Sequence, residues 1–217
     1  MRKADGFTDP NAIHSLIRGA IECEENTEDV AAMLSKHLVR SGASLTTQQQ
    51  ADCLAFVTAY VCETPDIMEA AFHAAQQAEV LRLVEPIFEA AIRYWVEPHN
   101  YIPDDLGLIG LVDEAYLTRL FMETISNLHQ QQTGGPLLHI DLGPPNRVMR
   151  NLIGEPVATQ LDAVVGHTVA TQAVQTGIQQ LSVFTGGLGL GVPHVGRPSY
   201  YDIQHEVDVR LGAMGAV

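Results

Sequence analysis

Apolar residues recur at three- and four-residue intervals through the first 95 positions, and this spacing constrains the fold more than any other feature. The pattern covers the stretches 13–21, 30–38, 51–61, 67–81 and 87–95. Such spacing places the apolar side chains on one face of an α-helix. Helices of this kind are stable when their apolar faces pack against one another. We therefore predict a mainly α protein built as a multi-helix bundle.

Several residues mark where these helices begin or break. Thr46 or Thr47 is a suitable N-terminal cap for the third helix, and Thr64 followed by Pro65 indicates the start of the fourth. Pro86 lacks a backbone donor and clashes with the preceding turn. We therefore expect a kink or break at Pro86.

Residues 94–116 form a corner between two helical patterns. Pro98 and Pro103 restrict the backbone there, and Asp104 is placed to cap a short helix. Asp113 and Glu114 come at the start of the next helix, where the helix dipole favours negative charge. The corner is therefore predicted to be an ordered turn between helices.

The corner also carries a family resemblance. In register and without a gap it holds Pro98, Ile102, Pro103, Asp104, Gly110, Asp113 and Glu114. Over roughly residues 92–120, this pattern resembles the signature of the YkvA-like domain family, a short bacterial helical domain of unknown function. Glu97 and Asn100 stand where that signature has Asp, and Gly107 stands where it has a second Pro. The resemblance implies a helical fold and supplies no reaction.

The polar residues of the corner are the candidate site. They are Glu97, His99, Asn100, Asp104, Asp105, Asp113 and Glu114. Their oxygen atoms suit a divalent cation, with His99 adding a nitrogen ligand for a transition metal, and such a site would serve a metal-dependent enzyme or a cation-binding protein. In the alternative interpretation, Asp104 and Asp113 cap helices and the other acids are solvated. A partner-docking surface is the third interpretation.

Distant acids and histidines join this site only if the fold brings them to it. The two pairs in question are His139 with Asp141, and His205 with Glu206. Both pairs lie on segments that alternate apolar and polar residues, at 138–142 and 203–211, which is the period of a β-strand. We therefore predict one or two short strands, which would pair as a small ribbon.

The second half of the chain divides around a Gly- and Pro-rich stretch at 134–145. A helix with apolar residues from 117 to 128 precedes it and ends near 130–132, and a long helix over 155–183 follows it. Three units are predicted: a helical domain at 1–132, a loop plus long helix at 133–183 packed on it, and a Gly-rich C-terminal arm at 184–217.

The stretch from Ala163 to Gly196 contains no Asp, Glu, Lys or Arg. Because a solvated helix usually carries charges, this one is expected to be covered by its own domain or by another subunit. Membrane contact is the less favoured alternative, since its glutamines are costly to place in hydrocarbon.

Charge and cysteine content limit the remaining function classes. The formal charge of −14 repels nucleic acid phosphate. Cys23, Cys53 and Cys62 lack the spacing of a metal or redox motif and are typical of reduced thiols, and the first residues do not resemble a secretory signal, so a cytoplasmic location is expected. We predict a non-enzymatic structural or adaptor protein that self-associates, or docks on a protein partner, through residues 163–196.

Overall fold

The computed structural model describes residues 17–18, 46–96, 102 and 104–176. Its elements are α1 (Thr47–Cys62), α2 (Thr64–Gln77), α3 (Leu81–Val96), a 3-10 helix (Asp104–Leu111), α4 (Val112–Thr133), α5 (Gly143–Ile153) and α6 (Val157–Thr176). These residues are mostly helical and include no β-strand, which confirms the mainly α prediction for this part of the chain. The predicted strand at 203–211 and the arm at 184–217 lie outside the described residues, as do the two predicted N-terminal helices apart from residues 17–18.

Helix α4 is the centre of the bundle. It contacts α1, α2, α3, α5, α6 and the 3-10 helix. Every residue from 112 to 119 is buried, so the N-terminal half of α4 has no solvent face. Consequently the polar side chains on this half must find partners inside the protein.

The apolar core is continuous from α1 to α6 and also includes Ile17. The predicted inner face of α3 is confirmed, because all five of its members are buried: Ile87, Phe88, Ala91, Ile92 and Trp95. On this face, the ring of Phe88 meets Phe72 of α2 edge-on at 5.6 Å between ring centroids. Aromatic pairs in this arrangement add stability beyond the area that they bury.

The predicted starts of α1 and α2 are both confirmed, and the capping role is confirmed for Thr46 but not for Thr64. Thr46 caps α1 through a capping box, in which its hydroxyl accepts from Gln49 N at 3.3 Å and Gln49 Oε1 accepts from Thr46 N at 2.9 Å. Thr64 does not cap α2, because Glu63 occupies that position and the Thr64 hydroxyl donates to the Tyr60 carbonyl at 2.7 Å. Only one residue therefore separates α1 from α2.

The chain breaks between α2 and α3 at residues 78–80, before the position predicted at Pro86. Glu79 adopts a left-handed backbone, with φ of 60°. Its N–H donates to Gln76 O at 3.1 Å, and Val80 N–H donates to Ala75 O at 2.9 Å, the bonding pattern of a Schellman motif that ends α2. Helix α3 then continues through Pro86. Pro86 lacks the N–H that would donate to the Arg82 carbonyl, yet the helix continues to Val96, so the predicted break at Pro86 is wrong.

The strand predicted at 138–142 is also wrong. Leu137 and Leu138 are both buried although they are neighbours, while Ile140 is 53% exposed. The backbone N–H of Leu138 donates to the side chain of Ser126 on α4 at 3.0 Å. This segment therefore lies along α4, and no strand occurs beside it among the residues that the structure describes.

Helix α5 was not expected from the sequence. Gly143, Pro144 and Pro145 were interpreted as part of a loop, but they form its first turn, where a proline loses no helical hydrogen bond. Val148 and Met149 then point into the core. The prolines thus mark a helix start here rather than a continued turn.

Helix α6 corresponds to the long helix predicted at 155–183, and residues 177–183 of that prediction lie outside the described part of the chain. Its inner stripe consists of Ala158, Leu161, Val165 and Val169, each 0% exposed. This stripe packs on α3, α4 and α5. Among the helices that the structure describes, none is both long enough and apolar enough to cross a membrane.

Candidate functional site

The acidic corner is only partly described. Asp113 is 0% and Glu114 is 2% exposed, in the first turn of α4. The Tyr94 hydroxyl donates to Asp113 Oδ2 at 3.3 Å. The capping interpretation is wrong for Asp113, because Leu111 holds the N-cap position and no side chain makes a capping bond there. The accompanying expectation that Glu114 is solvated is wrong as well.

The remaining members of the predicted cation site are not placed by the structure. Glu97, His99 and Asn100 lie outside the described residues. Asp104 and Asp105 have a described backbone, in the 3-10 helix, but their side chains lie outside the description. No cluster of three or more His, Cys, Asp or Glu side chains suited to a metal ion occurs among the side chains that are described. The divalent-cation site at the corner stays a prediction.

His139 and Asp141 do not reach the described acids of the corner. They line a cleft beside Glu123 of α4. Glu123 lies nine residues beyond Glu114, which is about 14 Å along the helix axis. The structure therefore separates this pair from Asp113 and Glu114, and it brings the pair to a second polar site that the sequence did not indicate.

This second site is a cleft of about 330 Å³ between α4 and residues 136–142. One wall is a polar stripe on α4, formed by Glu123, Ser126, Asn127 and Gln130. The other wall consists of Pro136, Leu138, His139, Ile140, Asp141 and Leu142. The cleft thus combines apolar surface with convergent polar groups, as small-molecule sites commonly do.

A chain of hydrogen bonds from two buried residues outside the cleft lining fixes the position of the Glu123 carboxylate. The buried Tyr60 hydroxyl donates to Asn146 Oδ1 at 2.7 Å, and Asn146 Nδ2 donates to Glu123 Oε2 at 2.6 Å. Both roles of the Asn146 amide are therefore used, and its orientation is determined by its neighbours. Burial raises the pKa of Tyr60 above its usual value, so this hydroxyl remains a donor.

Three charged groups meet beside the backbone of Gly143. A methyl group built on Gly143 would lie 3.3 Å from Glu123 Oε1, from Asp141 Oδ1 and from Arg147 Nη1. The missing side chain thus leaves space for the two carboxylates and the guanidinium to approach one another. Asp141 Oδ1 also accepts from Gly143 N at 3.1 Å, which ties residue 141 to the start of α5.

The protonation of Glu123 reflects this setting. Burial is the largest influence and raises the pKa of its carboxyl above the ordinary value, and the charge of Asp141 acts in the same direction. The Asn146 hydrogen bond and the Arg147 charge oppose that rise without cancelling it. Burial thus disfavours the charged form of this carboxyl, and a positive group bound beside it would favour that form.

The two described cysteines are poor candidates for a nucleophile. Burial, followed by the charge of Asp52, raises the pKa of the Cys53 thiol. Burial and then the charge of Glu63 raise the pKa of Cys62. Since only the thiolate is strongly nucleophilic, a raised pKa makes both thiols less reactive near neutral pH. Cys23 lies outside the described residues.

The outer face of α6 is the second candidate surface. Thr159, Gln160, Ala163, His167 and Thr171 are exposed on it. The inner stripe of α6 is buried, whereas these five residues on the opposite side are exposed, and the prediction that another subunit covers the helix stays a prediction.

Sequence reasoning missed the cleft because its parts come from separate segments. The polar stripe of α4 has a helical spacing that is visible in the sequence, at positions 123, 126, 127 and 130. Nothing local indicates that Tyr60 and Asn146 meet behind it, since 86 positions separate them. Only the packing of α1, α4 and α5 brings these residues together.

Comparisons of the chain with models of protein families, with curated proteins and with solved structures find no match. The resemblance of the corner to the YkvA-like domain family therefore stays a prediction, carried by the corner residues alone.

Proposed function

We propose that the protein is a non-enzymatic structural or adaptor protein that self-associates through the charge-poor region 163–196. The described part of that region is the second half of α6. The observation that carries the proposal is the outer face of this helix, which is exposed at Ala163, His167 and Thr171 in a stretch without Asp, Glu, Lys or Arg. A second copy of the chain is the proposed partner, and a different protein at the same face is the alternative.

A neighbouring helix shows what an ordinary solvent face looks like in this protein. The exposed side of α3 carries Arg82, Glu85, Glu89 and Arg93, with two charges of each sign. Helices α3 and α6 pack against each other, so they belong to the same side of the bundle. The uncharged face of α6 is thus a local property of this helix and not a general feature of the surface.

Gly166 gives the proposal further support. A methyl group built at this position meets no atom within 4 Å, so packing inside the described chain does not require glycine. Glycine within a helix costs about 1 kcal/mol relative to alanine. A close approach by a second helix would explain the residue, because glycine lets two backbones come near each other.

The proposal predicts a mass above that of the 23.6 kDa monomer in size-exclusion chromatography with light scattering. Ala163→Arg places a charge on the exposed face, where an unpaired charge in an interface is costly, and is expected to reduce the mass to that of the monomer. Ala70→Arg is the matched control, since Ala70 is exposed on α2. A wild-type monomer at every concentration, or an unchanged mass for Ala163→Arg, would contradict self-association through α6.

Gly166→Ala separates helix stability from association. The substitution is expected to stabilise the isolated chain by about 1 kcal/mol through helix propensity. The same added methyl group is expected to weaken the contact between two copies. The first effect is measured by urea denaturation of Ala163→Arg with and without Gly166→Ala, because Ala163→Arg is expected to be monomeric. The second effect is measured by light scattering of the Gly166→Ala single variant at several concentrations. Stronger or unchanged association would show that Gly166 lies outside the contact.

A further inference from the structure

The cleft between α4 and residues 136–142 is not used by the proposed association through α6. It is lined by both polar and apolar groups, and its volume of about 330 Å³ falls within the range of small-molecule sites. We propose that this cleft binds a small organic cation, namely a primary amine that carries a short apolar chain. The proposal stands independently of self-association.

The charges of the cleft favour a cation. Glu123, Asp141 and Arg147 approach the same point beside Gly143, and two carboxylates facing one guanidinium leave a formal charge of −1. An ammonium group would neutralise that charge and supply three donors. An anionic ligand would instead add a third negative charge to the cluster.

The carboxylate of Glu123 is positioned before a ligand arrives. Asn146 is 3% exposed and donates to Glu123 Oε2 at 2.6 Å, while its own oxygen accepts from the buried Tyr60. A receptor group held by such a chain loses little conformational freedom on binding. This arrangement is better suited to recognition than a freely rotating surface glutamate is.

The apolar wall of the cleft favours an apolar chain attached to the ammonium group. Pro136, Leu138 and Ile140 line the cleft on the side opposite α4. Ile140 is 53% exposed, which makes it one of the few large apolar side chains open to solvent in the described chain. A short alkyl chain on the ligand would cover this surface and remove its apolar area from water, which favours binding.

An organic cation fits the described cleft better than a metal ion does. The described side chains hold no group of three or more His, Cys, Asp or Glu that could ligate a metal. Arg147 Nη1 also lies 3.3 Å from the same point beside Gly143 as the two carboxylate oxygens, and its positive charge repels a divalent ion more strongly than a singly charged ammonium. An ammonium group can bind through hydrogen bonds to one carboxylate without displacing the guanidinium.

The test is calorimetric titration of the full chain with n-pentylamine in about 0.15 M salt, where exposed charges are screened beyond about 8 Å. Pentan-1-ol is the neutral probe of matched length. We expect n-pentylamine to bind and pentan-1-ol to bind at least tenfold more weakly. Glu123→Gln should weaken amine binding at least tenfold, and Asp141→Asn, at an exposed position, should weaken it at least threefold.

Glu69→Gln is the matched control, because Glu69 is an exposed acid on α2, away from the cleft. Unchanged amine binding in this variant supports the cleft, and a loss equal to that of Glu123→Gln would show general attraction to an acidic protein. Absence of amine binding, equal binding of the alcohol, or full binding by folded Asp141→Asn would each overturn the proposal.

Discussion

Arg119→Ala is expected to lower the free energy of unfolding by about 3 kcal/mol, because it removes a buried side chain from the centre of the bundle. Arg119 is only 3% exposed. Its guanidinium carbon lies 4.1 Å from the centroid of the Tyr60 ring, and its Nε donates to Thr64 Oγ1 at 2.9 Å. The ring and the hydroxyl offset part of the cost of burying a cation.

The ion pair of Arg119 contributes little to this loss. Its Nη2 lies 3.4 Å from Glu63 Oε2, but the Glu63 side chain is 63% exposed and is well solvated without its partner. Only the Glu63 end of this pair is exposed, and because water reaches that carboxylate we expect the pair to be worth about 1 kcal/mol or less. Glu63→Gln is therefore the matched control, with an expected change within about 0.5 kcal/mol.

Arg119→Met separates packing from charge. Methionine fills much of the same volume and needs no compensation for a buried charge, so the expected loss is about 1 kcal/mol. Urea denaturation of all three variants gives the comparison. If Arg119→Met is as unstable as Arg119→Ala, then the charge and not the packed stem of Arg119 holds this part of the core.

The sequence predicted the helices well where each one has a clear apolar face. The buried face of α3 and the cap of α1 at Thr46 depend on residues that are close in sequence, so local patterns are sufficient to identify them. The errors came where two local signals compete. At Gly143 to Pro145 a turn composition also suits a helix start. At 138–142 the residues alternate like a strand, yet the Leu138 N–H bonds to the side chain of Ser126 on α4.

The position of the break before α3 shows a further limit. Pro86 is the obvious breaker in the sequence, yet the chain turns at Glu79, a residue type with no preference for a left-handed backbone. Helices α2 and α3 both pack against α4, so the turn between them has to direct both apolar faces toward the same helix. Such a choice depends on tertiary contacts and is not visible from propensity.

The polar residues of α4 were the least predictable part of the candidate site. Asp113 and Glu114 were placed correctly at the helix start, but as capping and solvated groups, and the structure buries both. Nothing in the sequence around Glu123 indicated that this residue lines a cleft. In each case the environment of the side chain is decided by helices that are distant in sequence, because α4 is surrounded on nearly all sides.

Asp162→Ala is expected to cost about 2–3 kcal/mol, because it removes the acceptor shared by two other helices. Its Oδ1 accepts from the Tyr116 hydroxyl at 2.7 Å, and its Oδ2 accepts from Arg150 Nε at 2.8 Å. Tyr116 is 2% exposed, so the loss leaves a buried hydroxyl without this acceptor. Burial and then the charge of Asp162 raise the pKa of Tyr116, which keeps the hydroxyl protonated as a donor.

A double-mutant cycle with Tyr116→Phe tests the role of this hydrogen bond. The phenylalanine variant removes the donor and should cost about 1 kcal/mol, since Asp162 keeps its bond to Arg150. In the double variant no buried hydroxyl is left without an acceptor, so the combined loss should be smaller than the sum by about 1 kcal/mol. Strict additivity in urea denaturation would contradict the bond. The Tyr116→Phe variant should self-associate like the wild type, because Tyr116 fastens the inner side of α6 and leaves the face at Ala163 unchanged.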